Sequence, residues 1–85
     1  MSEHAARVVH VRYFAVLREQ AGCTEESVTT RAATPAELYA ELAARHGLKL
    51  PESLLRVSLN EQFADMQGPL RAGDRVVFIP PVSGG

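Results

Sequence analysis

The chain has 85 residues, 46% of them hydrophobic, with nine Lys and Arg against ten Asp and Glu and a net charge of −1. A chain of this size buries about 60 to 65% of its unfolded surface, enough for one compact core and too little for a deep cofactor pocket. Balanced charge with no block of one sign argues against nucleic acid, and no apolar run approaches a membrane span. The lone Cys23, without a Cys/His cluster, leaves no internal disulfide and no metal-ligand set.

Residues 1–7 read as a disordered N-terminal segment. They have neither an apolar signal core nor an Arg-rich amphipathic stretch, so a reducing cytoplasm is the expected location. From Val8 the chain alternates. Val9, Val11 and Tyr13 point one way and form the expected core face, while Val8, His10, Arg12 and Phe14 point the other. The stretch Ala-Val-Leu-Arg-Glu-Gln-Ala at 15–21 predicts a helical turn or two, stopped by Gly22. Cys23 then falls in a turn with no basic neighbour to make it reactive. Residues 24–30, rich in Thr and Glu, predict an edge strand whose charges discourage pairing with other chains.

Thr34-Pro35-Ala36-Glu37 carries the clearest local signal, a capping Thr, a Pro at the first helical position and a Glu three residues on. The helix it opens runs to about His46 and stops at Gly47, burying Leu38 and Leu42 with Tyr39 or Ala43 widening the stripe. His46 is expected to serve the terminal carbonyls and the macrodipole. Leu55, Val57 and Leu59 then alternate with Arg56 and Ser58 as a third strand, Asn60-Glu61-Gln62 turns, and Phe63 begins a short segment. Leu70 plugs the core, Ala72-Gly73-Asp74 turns again, and Val76-Val77-Phe78-Ile79 forms a last strand. One helix covering one mixed sheet of four to five strands gives an α+β class, with residues 8–79 as the folded domain.

That last strand is apolar on both faces. If Val76 and Phe78 face the helix, Val77 and Ile79 face away, and Phe14 joins them if the first and last strands are neighbours. Such a patch marks a protein interface. It lies at the root of Pro80-Pro81-Val82-Ser83-Gly84-Gly85, read as a flexible tail over residues 80–85. Two prolines bias the tail toward extended polyproline II, and two glycines let a narrow channel close around it. Fully stretched, it would carry the terminal carboxylate about 20 Å from the domain. Ordering six residues costs about 6 to 12 kcal/mol in backbone entropy. Burying three large apolar side chains at about 1.5 to 3 kcal/mol each returns a comparable amount, so one partner is expected to take patch and tail together.

Arg12-Tyr13-Phe14-Ala15-Val16-Leu17-Arg18-Glu19 with Gly22, and Gly73-Asp74-Arg75-Val76-Val77-Phe78-Ile79 running into Pro80-Pro81-Val82-Ser83-Gly84-Gly85, resemble the small subunits of molybdopterin synthase from Val8 onward. The resemblance implies a ubiquitin-like β-grasp fold and a sulfur carrier of molybdenum cofactor biosynthesis. It implies that Gly85 is adenylated by a ubiquitin-activating-like adenylyltransferase using ATP, then thiocarboxylated with sulfur from a donor protein. The sulfur passes to cyclic pyranopterin monophosphate in the large subunit, in a hetero-oligomer of two plus two chains, to build the molybdopterin dithiolene. No cofactor is bound by the carrier itself. Gly84 lets the tail thread, and Phe14 and Ile79 match apolar positions used against the large subunit, Ile79 in character only because an aromatic can stand there.

The residues agree with this chemistry. An α-carboxylate with a pKa of about 3.3 to 3.7 is an anion and a poor electrophile at neutral pH, so it needs activation. His4, His10 and His46 stand apart, with no Ser or Cys nucleophile assembled beside a base, so the chain is a substrate and delivery arm for other enzymes. Ser83 reads as a polar tail residue. Two alternatives remain: a sulfur carrier of thiamine synthesis, and a ubiquitin-like modifier, for which Lys49 is the chain's one lysine.

Overall fold

The structure, a computed structural model, describes residues 5–81. Its elements are β1 (Arg7–Tyr13), α1 (Ala15–Ala21), β2 (Glu25–Thr30), α2 (Pro35–His46), a 3-10 turn (Glu52–Leu54), β3 (Arg56–Leu59), β4 (Gln62–Ala64) and β5 (Arg75–Ile79). The strands lie in the order β2-β1-β5-β3-β4. β1 and β5 run parallel at the centre, and every other pairing is antiparallel. A mixed sheet gripping one main helix is the ubiquitin-like β-grasp architecture that the resemblance implies.

Local chemistry sets the helix ends. Thr34 Oγ1 accepts the Glu37 N–H at 3.1 Å and Pro35 occupies the first helical position. The Glu37 carboxylate reaches back past the cap to the Ala33 N–H, 2.8 Å away. Both helices stop at a glycine in the left-handed region, Gly22 at φ 78° and Gly47 at φ 73°.

The core lies between the sheet and α2. Val9, Val11 and Tyr13 of β1, Val28 of β2, Val57 of β3 and Val76 and Phe78 of β5 are buried against Leu38, Tyr39 and Leu42. Leu70 plugs one end, and Leu17 fixes α1 to the same core. Tyr39 meets the Phe78 ring edge-on at 5.3 Å between centroids, the geometry that aromatic quadrupoles prefer.

Two boundaries differ from expectation. β1 starts at Arg7, inside the segment expected to be disordered, because Arg7 pairs with Thr30 and its guanidinium donates to the Ala32 and Leu70 carbonyls at 2.5 and 2.7 Å. β3 starts at Arg56, because Leu55 is taken by the end of the 3-10 turn, where its N–H donates to Glu52 O. No helix among the described residues is long and apolar enough to cross a membrane.

Candidate functional site

The two-residue period of β5 decides what faces away from α2. Val76 and Phe78 are buried, while Val77 and Ile79 point to the other side and are half-buried. The parallel register sets Arg12 beside Val77 and Tyr13 beside Phe78, so the first and last strands are neighbours as expected. Phe14, the next residue, is 40% exposed at the mouth of α1.

The backbone holds Phe14 outward. Tyr13 before it and Leu17 after it are both fully buried, and the Phe14 carbonyl accepts the Leu17 N–H at 3.0 Å. Between them the chain reverses at Ala15, whose φ of 53° is a left-handed conformation costly for any residue with a Cβ. The Arg12 guanidinium lies over the Phe14 ring, 5.4 Å from its centroid, within cation–π range.

The antiparallel side extends the face. Ser58 pairs with Val77 and also with Phe63, which puts Phe63 on the open side of the sheet, 73% exposed. From the sequence alone Phe63 falls only in a short segment. The signal available was the tight Asn60-Glu61 turn, which fixes the hairpin register and so the face of every residue after it. Arg56 stands beside Ile79. A shallow groove crosses the sheet from β2 over β1 to β5 and the β3–β4 turn, bordered by His10, Arg12, Glu25, Ser27, Glu61, Arg75 and Val77.

β5 leads straight into Pro80, half-buried, and Pro81, exposed. Val82, Ser83, Gly84 and Gly85, the remaining tail residues singled out in the sequence, lie outside the described residues, as does His4.

The other reactive side chains are occupied elsewhere. His10 Nδ1 lies 3.1 Å from Ser27 Oγ on the open face. His46 does not serve the end of its helix as expected. Its Nε2 lies 2.6 Å from Glu26 Oε2, because the last turn of α2 ends over β2 within reach of that carboxylate. Cys23 is half-buried, and burial together with the negative charge of Glu26 pushes its thiol up, away from the thiolate form. Among the described residues no three His, Cys, Asp or Glu side chains gather as a metal set. What the face offers is a partly exposed apolar strip with an arginine on either side, at the root of the C-terminal segment.

Comparison with known proteins gives this surface a context. Residues 11–85 match the ThiS family. The molybdopterin synthase sulfur carrier subunit of Escherichia coli is 33% identical over 81 residues, covering 92% of this chain and all of the relative. A protein–protein complex of subunits 1 and 2 of the molybdopterin-converting factor from Helicobacter pylori contains a chain 33% identical, with TM-score 0.60, covering 92% of this chain and 99% of that one. SAMP1 of Haloferax volcanii, 27% identical with TM-score 0.73, covers 92% of this chain and 99% of that one.

Proposed function

The chain belongs to the ThiS family and is a ubiquitin-like sulfur carrier related to the molybdopterin synthase carrier subunit, and from that premise we propose that it delivers sulfur for molybdopterin synthesis. In this reading Gly85 is adenylated by an activating enzyme at the expense of ATP. Displacement of AMP by a sulfur donor leaves a thiocarboxylate, whose sulfur then passes to cyclic pyranopterin monophosphate held by a large subunit.

One observation carries the proposal: Val77 and Ile79 face away from the core on the strand that runs directly into Pro80 and Pro81, with Phe14 beside it. A partner that buries this strip must also lie over the start of the tail. Contact energy gained on the strip then offsets the entropy of ordering Val82, Ser83, Gly84 and Gly85 in a channel. In this reading the small chain brings only the thiocarboxylate sulfur: His10 and His46 are engaged with Ser27 and Glu26, so the remaining chemistry falls to the protein that receives the tail. The complex formed by the Helicobacter pylori relative supports a large subunit as that protein.

A second reading, attachment to other proteins, is favoured by the likeness to the small archaeal modifier protein of Haloferax volcanii. Intact-mass measurement of the protein taken from its native cells separates the two. Exchange of one oxygen for sulfur at Gly85, with copurification of a large synthase subunit, is the expected result. Isopeptide-linked species without thiocarboxylate would replace the carrier reading with the modifier one.

A further inference from the structure

The two outward apolar residues of β5 each have an arginine alongside, on opposite neighbouring strands. Arg12 of β1 is in register with Val77, and Arg56 of β3 is in register with Ile79. Both arginines are exposed. The Arg12 guanidinium leans along its strand over Phe14, and so toward the same strip. Among the described residues, the ion pairs within 4.0 Å are Arg45 with Glu41, His46 with Glu26 and Arg75 with Glu61. Arg12 and Arg56 therefore meet no carboxylate of the described residues at that distance, although Glu25 is Arg12's cross-strand neighbour.

A protein that covers Phe14, Val77 and Ile79 strips water from these two guanidiniums, because they are the strip's immediate neighbours. Arginine cannot shed its proton to escape that cost, and an unpaired charge removed from water is strongly unfavourable. Backbone carbonyls would satisfy some of the N–H groups and leave the charge unbalanced. A carboxylate does both, and matches the planar fork with two parallel hydrogen bonds.

We propose that Arg12 and Arg56 are the specificity determinants of the open face, each meeting a carboxylate on the large subunit; the inference rests on the proposed function and adds the chemistry of the partner surface. Two charges on opposite sides of one strand make a two-point code. They fix the rotation of the partner about the strip, and with it the line along which the tail leaves the domain, which an apolar patch alone would leave loose. They also speed encounter with an acidic surface at low salt.

The test uses the full chain and the large subunit from the same cells, titrated by calorimetry at about 0.05 M and about 0.5 M salt, where screening differs severalfold in range. Arg12→Glu and Arg56→Glu should each weaken binding by about tenfold or more, and the wild-type complex should weaken as salt rises. Lys49→Glu, beyond the end of α2 and away from the open face, should bind within about twofold of wild type under the same screening. Circular dichroism checks that each variant is folded, and Arg12→Gln and Arg56→Gln serve as milder versions. Replacing the facing carboxylate on the large subunit with Arg should restore binding to the matching Glu variant. A wild-type complex that forms but is indifferent to both reversals and to salt overturns this inference alone. No wild-type complex at all overturns it together with the function it rests on.

Discussion

Glu26 Oε2 accepts two hydrogen bonds at once, from the Tyr13 hydroxyl at 2.5 Å and from His46 Nε2 at 2.6 Å, joining β1, β2 and the end of α2 at one oxygen. Burial alone would push the Glu26 carboxyl up. The hydrogen bonds from Tyr13 and His46 and the charges of His46 and Arg45 outweigh it and hold the group below its ordinary range. Its contribution to stability is therefore full above the unfolded carboxylate pKa of about 4.3, and fades as pH falls through the lower folded value. Tyr13 moves the opposite way: burial, then the hydrogen bond and charge of Glu26, push its phenol far up. That contribution is full below about pH 10 and is lost as pH rises beyond it. Thermal melts across pH should show a shallower acid limb in Glu26→Gln than in wild type. Tyr13→Phe should cost about 1.5 to 3 kcal/mol in urea unfolding at neutral pH, the range for a hydrogen bond to a charged group.

The β3–β4 turn holds a second departure from what a local rule would choose. Asn60 and Glu61 both have positive φ, 54° and 75°, as a tight hairpin twisted to match its strands requires. Asn tolerates this, and its side chain accepts the Arg75 N–H at 3.0 Å and donates to Asp74 at 2.9 Å. Glu61 has only an exposed ion pair with Arg75 at 3.7 Å, of a kind that adds little. Glu61→Gly removes a left-handed cost of about 1 to 2 kcal/mol and gives back part of it as unfolded-chain entropy. The expected result is a gain of about 0.5 to 1 kcal/mol, seen as a higher urea midpoint with an unchanged slope.

The features legible in the sequence were those set by neighbours along the chain. The capping residues around Pro35, the stop at Gly22 and the alternation of Val76, Val77, Phe78 and Ile79 each depend on a few adjacent positions, and each was readable. So was the edge position of β2, through its exposed Glu and Thr residues. What escaped depends on contacts far apart in sequence. His46 and Glu26 are twenty residues apart, and Arg7 reaches a carbonyl sixty-three residues away, so no local pattern could announce either bond. Phe63 was hidden for another reason: a three-residue strand is too short to show a period, and its face follows only from the hairpin register.

Phe63 also separates a narrow interface from a wide one. Phe14 lies beside β5, whereas Phe63 lies beyond Ser58 on the outermost strand of that side. Burial of a large apolar side chain is worth about 1.5 to 3 kcal/mol, or roughly tenfold to a hundredfold in affinity. Phe14→Glu and Ile79→Glu should each weaken binding to the large subunit by at least that much while lowering the melting temperature by no more than about 8 °C, the shift that about 1 kcal/mol gives in a domain of this size. Phe63→Ser should weaken it by about tenfold if the partner reaches the sheet edge, as the exposure of that ring implies. Surface plasmon resonance with the large subunit immobilised reads all three, and unchanged affinity in every variant would exclude this face as the docking surface.

Val76 and Val77 are adjacent, identical in type and opposite in consequence. Val76 is fully buried under α2, whereas Val77 is half-buried on the open face between Arg12 and Ser58. Placing a carboxylate at position 76 forces an unpaired charge into the core, where it must stay protonated or unfold its surroundings. Val76→Asp should therefore lose the cooperative unfolding transition or shift it by more than about 4 kcal/mol, the range reserved for such lesions. At position 77 the carboxylate keeps contact with water, lies beside the Arg12 guanidinium and sacrifices only part of one side chain's burial. Val77→Asp should remain folded, with a loss of about 1 kcal/mol or less by urea titration. It should nonetheless fail to hold the large subunit, because the complex would have to bury that charge. Equal loss of stability in the two variants would mean that both faces of β5 serve the fold and that neither is reserved for a partner.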